Sequence, residues 1–449
     1  MISFGLERAA EIAGGRLHRS PTAGDCKAFV GMTQNSRELK SGNLYCALIG
    51  ERVDGHRFVS DTAEAGAAAA LVSRSVDAPI AQIVVDDVVQ AMGRLARAWR
   101  ESVDVRVVAV TGSNGKTTVK TMLAAILRGC AATLATRGNY NNEIGVPLTL
   151  AALDKSHRFA VIEMGCGKPG DIEYLARMAR PDVAVVTNAG PAHLERLGSM
   201  DGVASTKGEL FTALDDNGVA VINGDDDYHD YWRRLCAQRR KLTFGYKPES
   251  DIRFDAGGRV VTPAGSFELV LALPGEHNRM NALAATAAAL ALDLDLDAIA
   301  AGLASVEVLP GRLAEREMTG GWRLIDDTYN ANPASLYAGL QVLAAHSGKR
   351  WLALGEMAEL GDHSAKLHRE IGRAAHDLGI ERLFAIGMHA DRVADAFGAG
   401  GEAFEDLTAM ADCMQALLAP DVTCLVKGSR SAHMEQLVDR LRAVEATPC

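Results

Sequence analysis

The segment Val110-Thr111-Gly112-Ser113-Asn114-Gly115-Lys116-Thr117-Thr118 carries the residue types that hold a nucleotide's phosphates. Glycines let main-chain N–H groups approach phosphate oxygens. A helix starting at the segment's end adds positive potential, Lys116 supplies a point charge, and Thr117 can reach Mg²⁺. The general pattern sets four residues between its two glycines. Val110 stands at the first of those glycine positions, so this is a compact variant. An ordinary strand–turn–helix would explain the glycines but not a Lys-Thr pair directly after the last one.

Three further residues suit a metal. Glu163 ends the apolar run Phe159-Ala-Val-Ile, one crossover after the phosphate loop, where a carboxylate can hold a cation. A strand-end acid facing water is the plainer alternative. His193, in Asn188-Ala-Gly-Pro-Ala-His193, follows another apolar run and could bind a metal through neutral imidazole, or simply sit at the surface. Lys207 falls on the apolar stripe Val203, Ala204, Leu210, Phe211 of a helix that Ser199 can cap. A buried lysine must be paired, neutralised or modified, unless its head snorkels to the helix edge. An amine of lowered pKa reacts with CO₂ to give an anionic carbamate, itself a metal ligand.

Two clusters lie further on. Asn278 and Asn281 sit three apart after Leu273-Pro-Gly275-Glu-His277 and can cap a helix or contact a base. Arg312 follows Gly311, and Asp326-Asp327-Thr-Tyr329-Asn330-Ala-Asn332-Pro333 ends a later run. Arg312 could clamp a phosphate and Asp327 could accept from ribose hydroxyls, or both could serve an inter-domain salt bridge.

These residues need a scaffold. Apolar runs at Val105–Val110, Phe159–Ile162, Val183–Val186 and Val219–Ile222 alternate with helical stripes and end in polar loops. That is the pattern of a parallel sheet covered on both faces, with ligands at its carboxyl edge. The alternation restarts at Trp322–Ile325, Arg350–Leu354, Leu383–Ile386 and Val422–Val426. Before it, Ala67–Val72 and Ile80–Val85 read as strands, and Asp86 as the cap of a helix with stripe Val89, Met92, Leu95, Ala96 and Trp99. The expected architecture is α/β in three domains: residues 1–102 as a small N-terminal module, 103–310 as a central P-loop domain, and 311–449 as a Rossmann-like C-terminal domain. The Ala-rich stretch Ala282 to Ala304, broken by Asp293, Asp295 and Asp297, reads as buried helix plus turn.

Composition narrows the class. The chain has 449 residues, which at roughly 150 per domain gives about three domains. Its formal charge of −10 argues against a nonspecific nucleic-acid binder. A locally positive site for a small anion remains compatible with that charge. Eight cysteines without C-x-x-C spacing point to free thiols in a reducing compartment, the cytoplasm. No apolar run reaches the ~20 residues of a membrane span, and residues 1–15 lack a secretory signal's apolar core.

The phosphate loop, Glu163, His193, Lys207, Gly275-Glu-His-Asn278, Arg312 and Asp327 occur in an order and over a length that resemble the Mur ligases. These are ATP-dependent amide ligases of peptidoglycan precursor assembly. Within the family, Arg137-Gly-Asn-Tyr-Asn-Asn-Glu-Ile-Gly-Val-Pro147, Glu163-Met-Gly165 and Asp327-Thr-Tyr-Asn-Ala-Asn-Pro333 resemble one branch in particular. That branch joins D-alanyl-D-alanine to UDP-N-acetylmuramoyl-tripeptide. The resemblance implies that Thr111 to Thr118 bind ATP, with Thr117 on a first Mg²⁺ that Glu163 also serves. It implies a second Mg²⁺ served by His193 and carbamylated Lys207. It gives nucleotide contacts to Asn278, Asn281, Arg312 and Asp327, and places Lys116, Glu163, His193, Lys207 and Arg312 in catalysis. It gives the UDP moiety to Asn35, Ser36, Arg37, Asp54 and His56, Asn35 standing where the family usually has Asp. It gives the peptide and acceptor to Asn139, Tyr140, Asn141, Asn142, Tyr329, Asn330 and Asn332. Lys427-Gly-Ser-Arg430 matches a motif of the third domain. The enzyme would act as a monomer, without nucleic acid or membrane insertion. Two other readings compete: a sister ligase whose acceptor is a single amino acid, and a nucleotide-controlled binding protein without the metal residues.

Overall fold

The apolar runs become the central strands of three sheets. A computed structural model of the chain describes residues 1–21, 24–192 and 194–443. Three α/β domains follow one another along it, with mostly parallel sheets.

In the first domain the sheet order is Arg16–His18, Gln82–Val84, Ala69–Val72, Leu44–Cys46, Met32–Thr33, parallel except at Arg16–His18. The helix after it spans Val88–Glu101. Its cap is Asp87, whose side chain accepts from Gln90 N at 3.0 Å, and not the expected Asp86. Starting one residue later makes Val88, Ala91, Met92, Leu95 and Ala96 the buried face, with Val89 at its margin. This domain is stitched to the next by Ile2 N to Ala151 O, Trp99 Nε1 to Leu153 O and Arg100 Nε to Ala179 O.

The central sheet is wholly parallel, in the order Arg240–Phe244, Val219–Asn223, Val183–Val186, Arg106–Thr111, Phe159–Glu163, Thr133–Ala135. The chain builds outward from Arg106–Thr111 in both directions. The loop after that strand therefore opens where the winding reverses, the place such sheets bind ligands. Alternate residues face opposite cores: Val108 and Val110 one way, Val107 and Ala109 the other. Both faces are dry, so the run is apolar without alternation. The two outermost strands and a small sheet of Arg253–Phe254, Val260–Thr262 and Gly265–Phe267 were not foreseen. Their mixed, half-exposed residues, such as Arg240, Lys241 and Thr243, form no apolar run.

The Ala-rich stretch is two helices, Glu276–Ala291 and Leu296–Ala304, the second capped by Asp295 through Ala298 N at 2.8 Å. Small side chains let both lie close on the helix Lys116–Cys130.

In the third domain the order is Ala314–Glu317, Arg323–Asp327, Val422–Lys427, Lys349–Leu354, Arg382–Ile386, Gly401–Phe404, antiparallel at the first strand alone. The last strand of the chain inserts beside Arg323–Asp327, with Lys427 in register with Asp327. The edge strands Ala314–Glu317 and Gly401–Phe404 also escaped the sequence reading, being short and partly exposed.

One glycine gives a prediction of sign. A Cβ at Gly302 would run into the main chain of Ile126, which cannot yield. Gly→Ala inside a helix normally gains roughly 0.5–1 kcal/mol. Gly302→Ala should instead lose about 1–3 kcal/mol through overpacking. A thermal melt with a lower midpoint than wild type is expected; a higher one would refute the close packing.

Candidate active site

The phosphate loop is shaped by two close approaches. Gly112 (φ 146°) lies where a Cβ would overlap Thr187 Oγ1, and Gly115 (φ 81°) where one would overlap Asn281 Oδ1. Ser113 N and Asn114 N donate to the main-chain and side-chain oxygens of Asn188 at 3.0 and 2.9 Å. The loop is thus laced to the neighbouring strand's end. The helix begins at Lys116, so the first-turn amides of Lys116, Thr117 and Thr118 lack helical acceptors and can receive an anion. Lys116 Nζ folds over the loop, donating to Gly112 O at 2.8 Å and Ser113 O at 3.3 Å.

Glu163 ends its strand 2% exposed. Its main-chain N donates to Thr136 Oγ1, and its Oε1 accepts from Asn141 Nδ2 at 2.9 Å. Its Oε2 is buried, with no hydrogen bond among the described residues. Lys120 Nζ lies 3.3 Å from that oxygen, outside hydrogen-bond direction, so the two make a charge contact. Lys120 was missed, although it is buried on the helix Lys116–Cys130. The signal was available: like Lys207, it is a lysine on a helix's inward side.

Ser199 does cap the helix Met200–Thr212, through Gly202 N. Lys207 is 1% exposed and its Nζ donates to Cys166 Sγ at 3.0 Å, which rules out snorkelling. His193 lies outside the described residues. Among the described residues no group of three His, Cys, Asp or Glu side chains forms a ready metal cage.

The third domain closes the site. Arg312 Nη2 donates to Thr117 Oγ1 at 3.1 Å, while its guanidinium stacks 3.9 Å over the Tyr329 ring. Asn332 Nδ2 donates to Asn114 Oδ1 at 2.7 Å and its own oxygen caps the helix Pro333–Ala344. Among the described residues neither Arg312 nor Asp327 makes an inter-domain salt bridge. Asp327 pairs within its own domain with buried Lys427, whose Nζ also donates to Asn330 O at 2.9 Å. That gives the Lys427-Gly-Ser-Arg430 motif a place in the site.

Between the central and third domains lies a cavity of about 610 Å³. Ser113 to Thr118, Glu163, Asn278, Asn281, Arg312, Asp327 and Lys427 all reach it. Phe244, Leu273, Met280 and Leu313 supply apolar wall. Asn278 is not a cap: Gly275 holds that position, and Asn278 Nδ2 donates to Pro274 O while its Oδ1 accepts from Asn281. Burial pushes the His277 imidazole below its ordinary range.

The residues Asn139 to Asn142 divide. Asn141 serves Glu163, and Asn142 Oδ1 accepts from Gly145 N at the start of the helix Gly145–Ala151. Both reach the cavity, whereas Asn139 and Tyr140 are not part of its wall.

Asn35, Ser36, Arg37, Asp54 and His56 gather at the carboxyl ends of the first domain's parallel strands, apart from this cavity. Asn35 Oδ1 accepts from Arg37 N. Asp54 Oδ1 accepts from His56 N and from ring Nδ1 at 2.7 Å, and its Oδ2 from Arg74. Arg74 and these hydrogen bonds hold the Asp54 carboxyl well below the usual carboxylate range. His56 Nε2 accepts from Ser73 N at 3.0 Å, which fixes the Nδ1–H tautomer. With both ring nitrogens used, His56 braces the crevice, and the exposed Arg37 and half-exposed Arg74 are its open donors. Arg74 carried no motif in the sequence.

The domains match known families in the same order. Residues 28–100 match the Mur ligase family catalytic domain, 110–289 the Mur ligase middle domain, and 311–430 the Mur ligase glutamate ligase domain. The chain belongs to the Mur ligase family. It is 42% identical to the UDP-N-acetylmuramoyl-tripeptide–D-alanyl-D-alanine ligase of Escherichia coli, over 98% of this chain and 99% of that one. The MurF crystal structure from Acinetobacter baumannii superposes with a TM-score of 0.92 at 35% identity, covering 98% and 99% of the two chains. MurF from Thermotoga maritima, solved in complex with ADP, gives 0.81 at 28% identity, covering 92% and 97%. This Mur ligase is therefore an ATP-dependent ligase. No helix among the described residues is long and apolar enough to cross a membrane.

Burial, and then the charge of Lys207, lower the Lys116 pKa to about 8. Because the shift is downward, the positive charge of Lys116 is present below that value and lost above it. ADP binding measured without divalent ion should be near constant at lower pH. Above about pH 8 it should weaken by up to about tenfold per unit. Lys116→Met should bind weakly with a flat profile. A flat wild-type profile would contradict this.

Proposed function

We propose that this ligase phosphorylates the terminal carboxylate of UDP-N-acetylmuramoyl-tripeptide with ATP and passes the acyl group to D-alanyl-D-alanine. A carboxylate is a poor electrophile. Its oxygen attacks the γ-phosphorus, the bond to the β-phosphate oxygen breaks, and ADP leaves. The dipeptide nitrogen then attacks the acyl carbon, loses a proton, and phosphate departs.

The observation that carries this is the reach of Arg312 to Thr117 across the cavity, in a chain 42% identical over nearly its whole length to a ligase of that name. Phosphates held by the loop's free amides and Lys116 would meet Arg312 from the other domain. Phosphoryl transfer is mostly positioning and charge neutralisation, which these groups supply. Asn278, Asn281 and the apolar wall would hold the base. Asp327, fixed by Lys427, would accept from the ribose. The nucleotide ends of the UDP-sugar would lie on Ser36, Arg37 and Arg74, in the crevice that Asn35, Asp54 and His56 shape. Tyr329, Asn330, Asn332, Asn141 and Asn142 would face the peptide and the dipeptide.

Magnesium fits the residues present. Glu163 Oε2 is buried and lacks a hydrogen bond, and the Thr117 hydroxyl stands on the first turn of the loop helix. Bound there, the ion supplies Lewis-acid neutralisation of phosphate charge. Lys207 would serve a second ion as a carbamate, together with His193. Its burial supports this, since among the described residues an unmodified ammonium there has one soft hydrogen-bond partner, Cys166. The protein would work as a cytoplasmic monomer.

Sustained ADP release, beyond one equivalent per enzyme, should require ATP, Mg²⁺, UDP-N-acetylmuramoyl-tripeptide and the dipeptide together. Turnover with a free amino acid in place of the dipeptide would overturn the reading in favour of a sister ligase. Lys207→Ala should lose about a hundredfold or more of activity and recover part of it with added small carboxylates; unchanged activity would remove the carbamate.

A further inference from the structure

Seven cysteines are described, all free. Cys46, Cys236 and Cys424 are buried, and burial pushes their thiols up, to about 11 for Cys236 and about 12 for Cys424. Such thiols are inert. Cys26 and Cys413 bond to a carbonyl and a carboxylate, and Cys130 to a helix carbonyl. Cys166 differs twice. Its sulfur is 3.0 Å from an amine, Lys207 Nζ, and it stands in the wall of the nucleotide cavity.

Both partners are held firmly. The main chain around Cys166 is pinned by Met164 N to Val110 O, Gly165 N to Asn141 O and Gly167 N to Asp171 Oδ2. Lys207 rises from a capped helix, 1% exposed, and among the described residues Cys166 is its one hydrogen-bond partner. A nitrogen fixed about 3 Å from sulfur is in attack position without further ordering. The cavity gives a small oxidant access to the sulfur, while the amine is closed to bulk solvent.

We propose that Cys166 and Lys207 form a redox modification site for hydroperoxides, in which oxidised Cys166 is captured by Lys207 as a sulfenamide that shuts off the ligase. The peroxide O–O bond breaks. One oxygen joins sulfur as a sulfenic acid, and the other leaves as water; sulfur loses two electrons and the peroxide gains them. The Lys207 ammonium passes one proton to solvent by way of the sulfenic oxygen, and the lone pair this leaves on nitrogen then bonds to sulfur. The S–O bond breaks, and the departing hydroxyl takes a proton from the same nitrogen to leave as water. Two molecules of a thiol reverse the link, restoring amine and thiol and forming a disulfide. The link removes the amine that any role of Lys207 needs. Its activity readout rests on the ligase reading above; its formation does not.

The experiment treats the purified full-length enzyme with hydrogen peroxide, then with dithiothreitol. Expected results are a mass loss of about 2 Da, no tryptic cleavage after Lys207, and a Cys166–Lys207 linked peptide. ATP turnover should fall about tenfold or more and return with dithiothreitol. Cys166→Ala, whatever its untreated rate, should lose none of that rate to peroxide. Lys207→Arg should stop at a sulfenic acid that dimedone captures. Recovery of Cys166 as free thiol or sulfonic acid without the linked peptide would overturn the proposal. So would loss of activity in Cys166→Ala at the dose that inactivates wild type. The linked peptide is read without substrates, so a failed turnover assay would strike the ligase reading and leave this one standing.

Discussion

Positive charge is crowded where the central and third domains meet. The amino end of the helix Lys116–Cys130, the ammonium of Lys116, the guanidinium of Arg312 and the ammonium of Lys427 reach one cavity, and Lys207 lies buried behind its wall. The crowding is self-opposed: Lys207 and Arg312 both help to lower the Lys116 pKa. A multiply charged anion relieves that repulsion, and a polyphosphate has the reach to span the helix end, Lys116 and Arg312. The overall charge of −10 does not prevent this, because two of the acids that reach the cavity, Glu163 and Asp327, are each paired with a buried lysine. Two domains are needed because one cannot surround a phosphoryl group about to leave. An acyl phosphate is lost to water unless the site is covered, and cover supplied by a second domain can also be withdrawn for product release.

Buried charge is managed in pairs. Glu163 with Lys120 and Asp327 with Lys427 are each nearly inaccessible. Such pairs gain little stability over apolar replacements, yet removing one partner costs about 3–5 kcal/mol. They therefore act mainly as anchors. Lys427 fixes the Asp327 carboxylate at a register position that the strand insertion dictates. Lys120 and Asn141 fix Glu163 so that one oxygen stays free of hydrogen bonds. The first domain uses the same device at a partly exposed site, with His56 and Arg74 on Asp54.

Most of the fold was legible because both faces of the central and third sheets are dry, which turns strands into unbroken apolar runs. Edge strands were not, since half of each meets water and propensity is diluted by residues such as Arg240 and Glu402. The site was legible where chemistry conflicts with packing. Gly112, Gly115, Lys116 and Lys207 stand out because nothing in an ordinary core calls for them. It was illegible where a polar residue's role depends on a distant partner. Nothing local separates Asn141, which holds Glu163, from Asn142, which accepts from Gly145 N. Nothing local tells that His56 would spend both nitrogens within the protein, or that Arg74 would meet Asp54 twenty residues away.

The two inter-domain junctions are built differently, and the difference bears on the reaction. The first domain is tied to the central one by main-chain acceptors, Ala151 O, Leu153 O and Ala179 O, under buried Leu95 and Ala96. Those bonds do not depend on any ligand. The third domain meets the phosphate loop through side chains, Arg312 to Thr117 and Asn332 to Asn114, and the phosphates would compete for those same groups. Between the two domains the chain passes through Gly311 (φ 72°) and Leu313 (φ 53°). A leucine in the left-handed region costs about 1–3 kcal/mol, offset here by burying its side chain, worth roughly 1.5–3 kcal/mol. Rotation at that segment would move Arg312 away from Thr117 and expose Leu313 together. Strain and burial at Leu313 are thus of similar size, so the left-handed backbone is tolerated while the side chain stays buried.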